Sequence, residues 1–333
     1  MNITIIGDGA MATVSAGILA ANGHGLRLWS PFPEAIAALR ADRENTRYLP
    51  GVAFPEGTAF TAEEAGAFDG AELILAATPT QYIRGTWQRL APHCPAGVPI
   101  VSVAKGIEND TLLRPTQVLR DLLGDDRPVA ALSGPNIARE LAAHLPATAT
   151  VASDDAALAA RVQTLFSTRT FRVYTNPDLV GVELGGAVKN VVAIAAGILD
   201  GLGAGDNAKA ALLTRGLVEI ARLGVAAGAR RETFMGLSGL GDLVTTCVSP
   251  HGRNRTFGEA IGRGETMETL LARTHSVVEG VATTRSVLAL ATRHDVDMPI
   301  TAAVHAVLFE GVAPAEAIDA LMTRRPKGED EWA

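Results

Sequence analysis

Cysteine is nearly absent from this chain: of 333 residues only Cys94 and Cys247 are cysteines, too few for a disulfide framework and spaced unlike any zinc-binding pattern. That argues against a disulfide-stapled secreted scaffold and fits a reducing cytoplasm. Blocks of one charge are missing as well. The 29 basic and 36 acidic residues, net −7, are spread without a cluster of lysines or arginines that could track a nucleic-acid backbone, which leaves small anions as partners. The opening "MNITIIGDGAMA" lacks the basic segment of a signal peptide and puts Asp8 straight after a short apolar run. Long hydrophobic runs are also lacking. "NVVAIAAGIL" reaches about half of the roughly 18 apolar residues a bilayer requires, so no membrane span is expected. None of the seven histidines has paired metal-ligand spacing, and no metal site is expected.

What is present is a large apolar fraction, 47% against 20% charged residues, in a length that suits two domains. The first half alternates short β-branched runs, "ITII", "LRLW", "ELILAAT", "PIVSVA", "PVAALS" and "TATVAS", with longer helical patterns. This predicts buried strands joined by crossover helices, an α/β fold with a Rossmann-type, mostly parallel sheet over residues 1–180. From about Leu179 the strand signals stop. Segments such as "NAKAALLTRGLVEIARLGVAAGA" and "SVVEGVATTRSVLALATRH" carry helical periodicity, so an all-α domain is expected over 181–325 and a polar tail over 326–333.

"ITIIGDGAMATVSAGILAANG" reads as a strand, then Gly7-x-Gly9-x-x-Ala12, then a helix stopped at Gly23. Gly7 allows the tight turn, Gly9 lets the backbone approach a pyrophosphate, and Ala12 permits close packing of helix on strand. The helix start then offers free N–H groups to the anion. A strict NAD site carries an acid at the end of the second strand to hold the ribose 2′-hydroxyl. Here "LRLWSPFP" ends with Ser30 and Pro31, which favours NADP(H) over NAD(H).

Ligands of such a sheet bind beyond the carboxyl ends of its strands. Lys105 stands there as either a solvated loop lysine or a ligand group. Gly134-Pro135-Asn136 forms a turn with a helix cap, and the same groups would serve as donors to an anionic substrate. Lys189 raises a sharper question, because it lies in the otherwise apolar "ELGGAVKNVVAIAAGILDGLG". Its helical neighbours Gly185, Gly186, Ala193 and Ala196 are all small, so the space beside its ammonium is either filled by a closely packed helix or open to a ligand. A lysine there either extends to the helix edge, or is desolvated and so suited to moving a proton near neutrality. In "GLSGLGDLVTTC" the glycines at 236, 239 and 241 predict a tight loop presenting Asp242, while Leu240 rules out a serine-hydrolase elbow. "SPHGRNRTFG" gathers Arg253, Asn254 and Arg255 in a turn suited to a phosphate monoester. Cys247 reads as a packing residue.

"NTRYLPG" (45–51), "KGIE" (105–108), "SGP" (133–135), "VELGGAVKNVVAIAAGILDGLGAGDN" (182–207), "GLSGLGDLVTTC" (236–247), "RNR" (253–255) and "VVEG" (277–280) together resemble, in order, the bacterial NAD(P)-dependent sn-glycerol-3-phosphate dehydrogenases. The resemblance implies hydride transfer between NAD(P)H and the middle carbon of dihydroxyacetone phosphate, giving sn-glycerol 3-phosphate, a glycerophospholipid precursor. It makes Lys189 the proton donor and acceptor, and Lys105 a lysine shared by substrate and cofactor. Gly134, Asn136, Asp242, Gly252, Arg253 and Asn254 become substrate-binding positions. Gly7, Gly9, Ala10, Met11, Ala12, Pro31, Ala138, Arg253, Val277 and Glu279 become cofactor-binding ones.

Several of these positions depart from the family's pattern. Ala10, Met11 and Ala12 replace a polar residue, an aromatic and a glycine; Pro31 stands where a basic residue is common; Gly252 replaces a serine; Asn136 stands where Ser or Thr is usual. A homodimer is expected from the apolar helical half. Two rivals share the general plan, a β-hydroxyacid or ketopantoate-type reductase, whose substrate would carry a carboxylate, and a non-catalytic dinucleotide sensor. Retention of Lys105, Lys189 and Asp242 together speaks against the sensor.

Overall fold

The computed structural model describes residues 1–274, 276–326, 328 and 329. The chain divides into two compact units, one of Met1–Ala104 with Pro115–Leu179 and one of Lys105–Arg114 with the chain from Val180 onward. The polar tail expected at 326–333 lies mostly outside the described residues.

The first unit holds β1 (Asn2–Ile6), β2 (Gly25–Trp29), β3 (Ala59–Thr61), β4 (Leu73–Ala76), β5 (Ile100–Ser102), β6 (Val129–Ser133), β7 (Ala147–Ala152) and β8 (Phe171–Asn176) in one sheet of order β3-β2-β1-β4-β5-β6-β7-β8. Every neighbouring pair is parallel except β6 with β7. Helices α1 (Ala10–Ala21), α2 (Pro33–Asp42), α3 (Thr80–Leu90), α4 (Pro115–Leu123), α5 (Ala138–Ala142) and α6 (Ala156–Phe166) accompany the strands.

β4, β5 and β6 are buried along their whole length, as strands covered on both faces must be, and their sequences are accordingly runs of apolar and small residues. All six expected strands form. Two more escaped the sequence reading: β3 has three residues, and β8, at the sheet edge, alternates buried and exposed side chains over Phe171–Tyr174 and so carries no continuous apolar run. α1 ends where Gly23 takes φ +80° and its N–H reaches the Ala20 carbonyl at 2.8 Å, a left-handed stop that glycine adopts without strain.

The second unit is helical: α7 (Leu179–Leu202), α8 (Gly205–Ala226), α9 (Asp242–Val248), α10 (Arg253–Gly262), α11 (Met267–Arg273), α12 (Glu279–Arg293), α13 (Pro299–Phe309) and α14 (Pro314–Met322). α7 is its axis. By length and composition this helix could cross a membrane, with mean hydropathy 1.6 over 18 residues, yet 94% of that window is buried inside the protein. The sequence reading counted only an unbroken apolar run and so underrated how apolar the helix is as a whole.

Residues 105–114 correct the domain boundary read from sequence, which placed them in the nucleotide-binding half. The Lys105 carbonyl accepts a hydrogen bond from Asn190 Nδ2 at 3.0 Å, Ile107 is fully buried in the helical core, and Arg114 pairs with the buried Glu183 carboxylate of α7. A buried ion pair and a buried isoleucine hold this strand-end segment in the helical unit.

α7 and α10 cross through glycines spaced four apart on each. A Cβ at Gly197 would fall 1.9 Å from the Arg255 carbonyl oxygen, and one at Gly258 would fall 2.1 Å from that of Ile194. A Cβ at Gly201 or Gly262 would fall 2.3 or 2.5 Å from a carbonyl oxygen of the partner helix. Such backbone contact leaves no room for a methyl group. Asp200 of α7 adds an ion pair to Arg255 at 2.6 Å, so the first turn of α10 is held firmly against α7. Gly197→Ala is expected to lower stability by about 1–3 kcal/mol through overpacking. Urea unfolding measures this, and an unchanged midpoint would show that the crossing tolerates separation.

Candidate active site

Lys189 sits midway along α7 and is 6% exposed. The small residues beside it are filled against rather than left open, since a Cβ at Gly185 would lie 2.7 Å from the Ser238 carbonyl oxygen. The segment packed there, Leu237–Gly241, is one turn of π-helix closed by a Gly241 N–H to Gly236 carbonyl bond of 3.1 Å. This corrects the tight loop expected from its glycines. They serve close approach, as a Cβ at Gly239 would fall 2.1 Å from the Phe234 carbonyl oxygen. A π-turn inside a helix is a frequent mark of a functional site. Here it delivers Asp242 at the start of α9.

Asp242 binds two ammonium groups. Its Oδ2 accepts from Lys105 Nζ at 2.6 Å, and its Oδ1 lies 3.0 Å from Lys189 Nζ. Thr246, one turn on along α9, accepts from Lys189 Nζ and donates to Asp242 Oδ1 at 3.2 Å. The sequence reading missed Thr246, although its offset of four residues from Asp242 puts both on one helix face. Burial lowers the Lys189 ammonium to about 8, with Lys105 pushing the same way and Asp242 opposing. Burial alone would raise the Asp242 carboxyl, but the Lys105 and Lys189 cations outweigh it and hold it below the usual carboxylate value. The result is two ammonium groups on one carboxylate, with the buried lysine poised near neutrality. Cys247 is fully buried and its thiol is pushed up to about 12, mainly by burial, so it packs and does not react.

Next to Lys189, Asn190 ties the surrounding backbone together. Its Nδ2 donates to the Lys105 carbonyl, its Oδ1 accepts from Asn254 Nδ2 at 2.9 Å, and Asn254 Oδ1 accepts from the Gly280 N–H at 3.0 Å. Lys105, α7, the 252–255 turn and the start of α12 are therefore joined by two buried amides. Asn254 is 8% exposed and spends its oxygen and one N–H on this bridge. Arg253 is exposed at the start of α10, where Gly252 caps the helix without a side chain. Gly252 suits this position because a Cβ would lie 2.9 Å from the Thr246 carbonyl oxygen. Glu279 opens α12, with Val277 two residues before it.

The other strongly shifted carboxyl is structural. Glu219 is buried, which raises its pKa to about 7, and it accepts the backbone N–H groups of Ile300 and Thr301 at the start of α13. It faces an apolar cavity of about 720 Å³ between α7, α8, α13 and α14 whose lining includes none of Lys105, Lys189 or Asp242.

In the first unit, Gly7 has φ +120° and a Cβ there would lie 2.9 Å from the Ala77 carbonyl oxygen, so only glycine fits where β1 passes β4. A Cβ at Gly9 would meet nothing within 4 Å, and no side chain caps α1. Open space over an uncapped helix start is the cradle a pyrophosphate requires, with the N–H groups around Ala10, Met11 and the buried Ala12 as donors. Gly134 has φ +141° and lies against Ala149. With its amide turned to donate, Asn136 bonds the Pro135 and Thr148 carbonyls, which binds it to its own sheet. Ala138 begins α5, packed against the core.

Comparisons with known proteins show the family. A family model described as the NAD-dependent glycerol-3-phosphate dehydrogenase N-terminus matches residues 2–159, and its C-terminal counterpart matches 178–319. A glycerol-3-phosphate dehydrogenase [NAD(P)+] of Geobacter sp. (strain M21) is 46% identical over 98% of both chains. One from Salinibacter ruber is 47% identical over 98% of this chain and 96% of its own. The crystal structure of a glycerol-3-phosphate dehydrogenase from Coxiella burnetii superimposes with a TM-score of 0.93 at 38% identity, over 97% of this chain and 99% of that one.

Proposed function

This chain belongs to the NAD-dependent glycerol-3-phosphate dehydrogenase family, and on that premise we propose that it reduces dihydroxyacetone phosphate to sn-glycerol 3-phosphate with NAD(P)H, Lys189 supplying the proton. The observation that carries this reading is the Lys105–Asp242–Lys189 cluster, buried at Asp242 and Lys189. Bound reduced nicotinamide supplies a hydride to the middle carbon, and everything else falls to the protein. As the carbonyl oxygen gains charge, the two ammonium groups stabilise it, and Lys189 Nζ hands over a proton to complete the alcohol. Asp242 holds both ammonium groups in place and keeps Lys189 from losing its proton too early.

Arg253 and the uncapped start of α10 bind the phosphate, while Asn254 acts mainly by fixing that turn through Asn190 and Gly280. Phosphate binding positions the reacting carbon. Gly7, Gly9 and the first turn of α1 hold the pyrophosphate; Ala138, Val277 and Glu279 complete the cofactor contacts, and Gly134 and Asn136 the substrate contacts. A homodimer in the cytoplasm is part of the proposal, supported by exposed Leu240, Val244 and Val248 spaced along one helix face and by two free cysteines.

The test is the rate of NADH and, separately, NADPH oxidation on adding dihydroxyacetone phosphate, compared with phosphate-free keto acids. Preference for a keto acid would transfer the chain to the carboxylate-taking reductases. The pH dependence follows from the Lys189 value of about 8. Reduction requires the ammonium, so its kcat/KM is expected to fall as pH rises through about 8. Oxidation of glycerol 3-phosphate requires the neutral amine and is expected to rise over the same range. Identical profiles in both directions would remove Lys189 as the group that titrates.

A further inference from the structure

We propose that Asp8 makes this enzyme selective for NAD(H) over NADP(H), reversing the preference that the second strand alone favours. The inference rests on the dehydrogenase reading and concerns only the nucleotide.

In a sheet of this order the adenosine ribose is read at the carboxyl end of β2, where an acid selects the free 2′-hydroxyl and cations select a 2′-phosphate. β2 carries no acid at its end. The fold brings one there from the first turn. Ser30, fully buried just after β2, donates its hydroxyl to Asp8 Oδ2 at 3.0 Å, and the Gly7 N–H bonds the Trp29 carbonyl at 2.9 Å, so the Gly7–Gly9 turn is fastened to the end of β2. Asn45 fixes it from the other side, donating to the Asp8 carbonyl at 2.6 Å and to Thr13 Oγ1 at 2.8 Å. Asp8 is half-buried, so its carboxylate is held in place and still reachable.

The same arrangement removes what a 2′-phosphate would need. The Ser30 O–H is engaged as a donor to Asp8, Pro31 has no N–H, and the Phe32 N–H is directed at Ser30 Oγ. Pro31, Phe32, Pro33 and Glu34 contain no cation. The arginines of α2 and its exit are engaged elsewhere: Arg40 donates to the Phe60 carbonyl, and Arg43 to those of Thr58 and Pro55. A 2′-phosphate would therefore meet a fixed carboxylate with no compensating charge from these groups, whereas a 2′-hydroxyl would donate to it. Like charges about 4 Å apart at a half-exposed site account for about tenfold or more in affinity.

The experiment titrates the protein, without substrate, with NADH and NADPH by nicotinamide fluorescence, and with ADP-ribose and its 2′-phosphate by competition. NADH and ADP-ribose are expected to bind at least about tenfold tighter than their 2′-phosphorylated counterparts, and Asp8→Asn to reduce that ratio to about threefold or less. In the unaltered protein the ratio is also expected to shrink as salt rises from about 0.05 M to about 0.5 M, which keeps the test valid should the variant misfold. NADPH binding as tightly as NADH, or a ratio insensitive to both Asp8→Asn and salt, overturns the proposal. NADH-selective binding without oxidation by dihydroxyacetone phosphate would instead sink the dehydrogenase reading and leave the nucleotide inference standing.

Discussion

Replacing Lys189 by alanine is expected to lower kcat for dihydroxyacetone phosphate reduction by at least about 100-fold, the low end for loss of an acid–base group. That corresponds to about 2.7 kcal/mol of transition-state stabilisation. The side chain is buried, bonded to Thr246 and paired with Asp242, so its removal takes away both a cation beside the developing oxyanion and the proton that quenches it. Lys189→Arg separates the two losses. Arginine restores a positive charge but keeps its proton at every working pH, so the variant should remain defective and lose the pH dependence near 8. Steady-state kinetics in both directions decide this, with circular dichroism to verify folding. A folded Lys189→Ala variant of near-normal turnover would exclude the residue from the chemistry.

Asp242→Ala is expected to cost about 3–5 kcal/mol of stability near neutral pH, because it takes the carboxylate away from the buried Lys189 ammonium. Asp242→Asn retains the shape and loses the charge, and it isolates the electrostatic effect. The carboxylate is what raises Lys189 against burial and the Lys105 cation. Without it the amine should lose its proton at lower pH, and the falling limb of the reduction profile should move below about 8. Urea unfolding measures the first effect and the pH profile of Asp242→Asn the second. A profile that keeps its position would mean that the Asp242 carboxylate does not tune Lys189.

Much of the site was legible before any coordinates, for reasons specific to its residues. Lys189 stood out because a lone cation in an apolar helical run is costly and demands a partner. Asp242 stood out because it follows three glycines, although they form a π-turn rather than a loop. Asn254 was read as a phosphate donor from its place between two arginines. Its oxygen and one N–H also bond Gly280 and Asn190, a connection across 26 and 64 residues that no local pattern carries. The pairing of Lys105 with Asp242 and the bond from Lys189 to Thr246 were missed for the same reason: they join side chains 137 and 57 residues apart in sequence, which meet only in the folded helical unit.

By itself the amino-acid order determined the architecture, because hydrophobic periodicity and the glycine punctuation act over a few residues and are written locally. It determined the Gly7–Gly9 turn and the helix that bears the lysine for the same cause. Which charges neutralise one another was decided only in three dimensions, as was the bond that brings Asp8 to the end of β2. Electrostatic free energy depends on separation in space and on burial, and neither quantity exists until distant segments have packed.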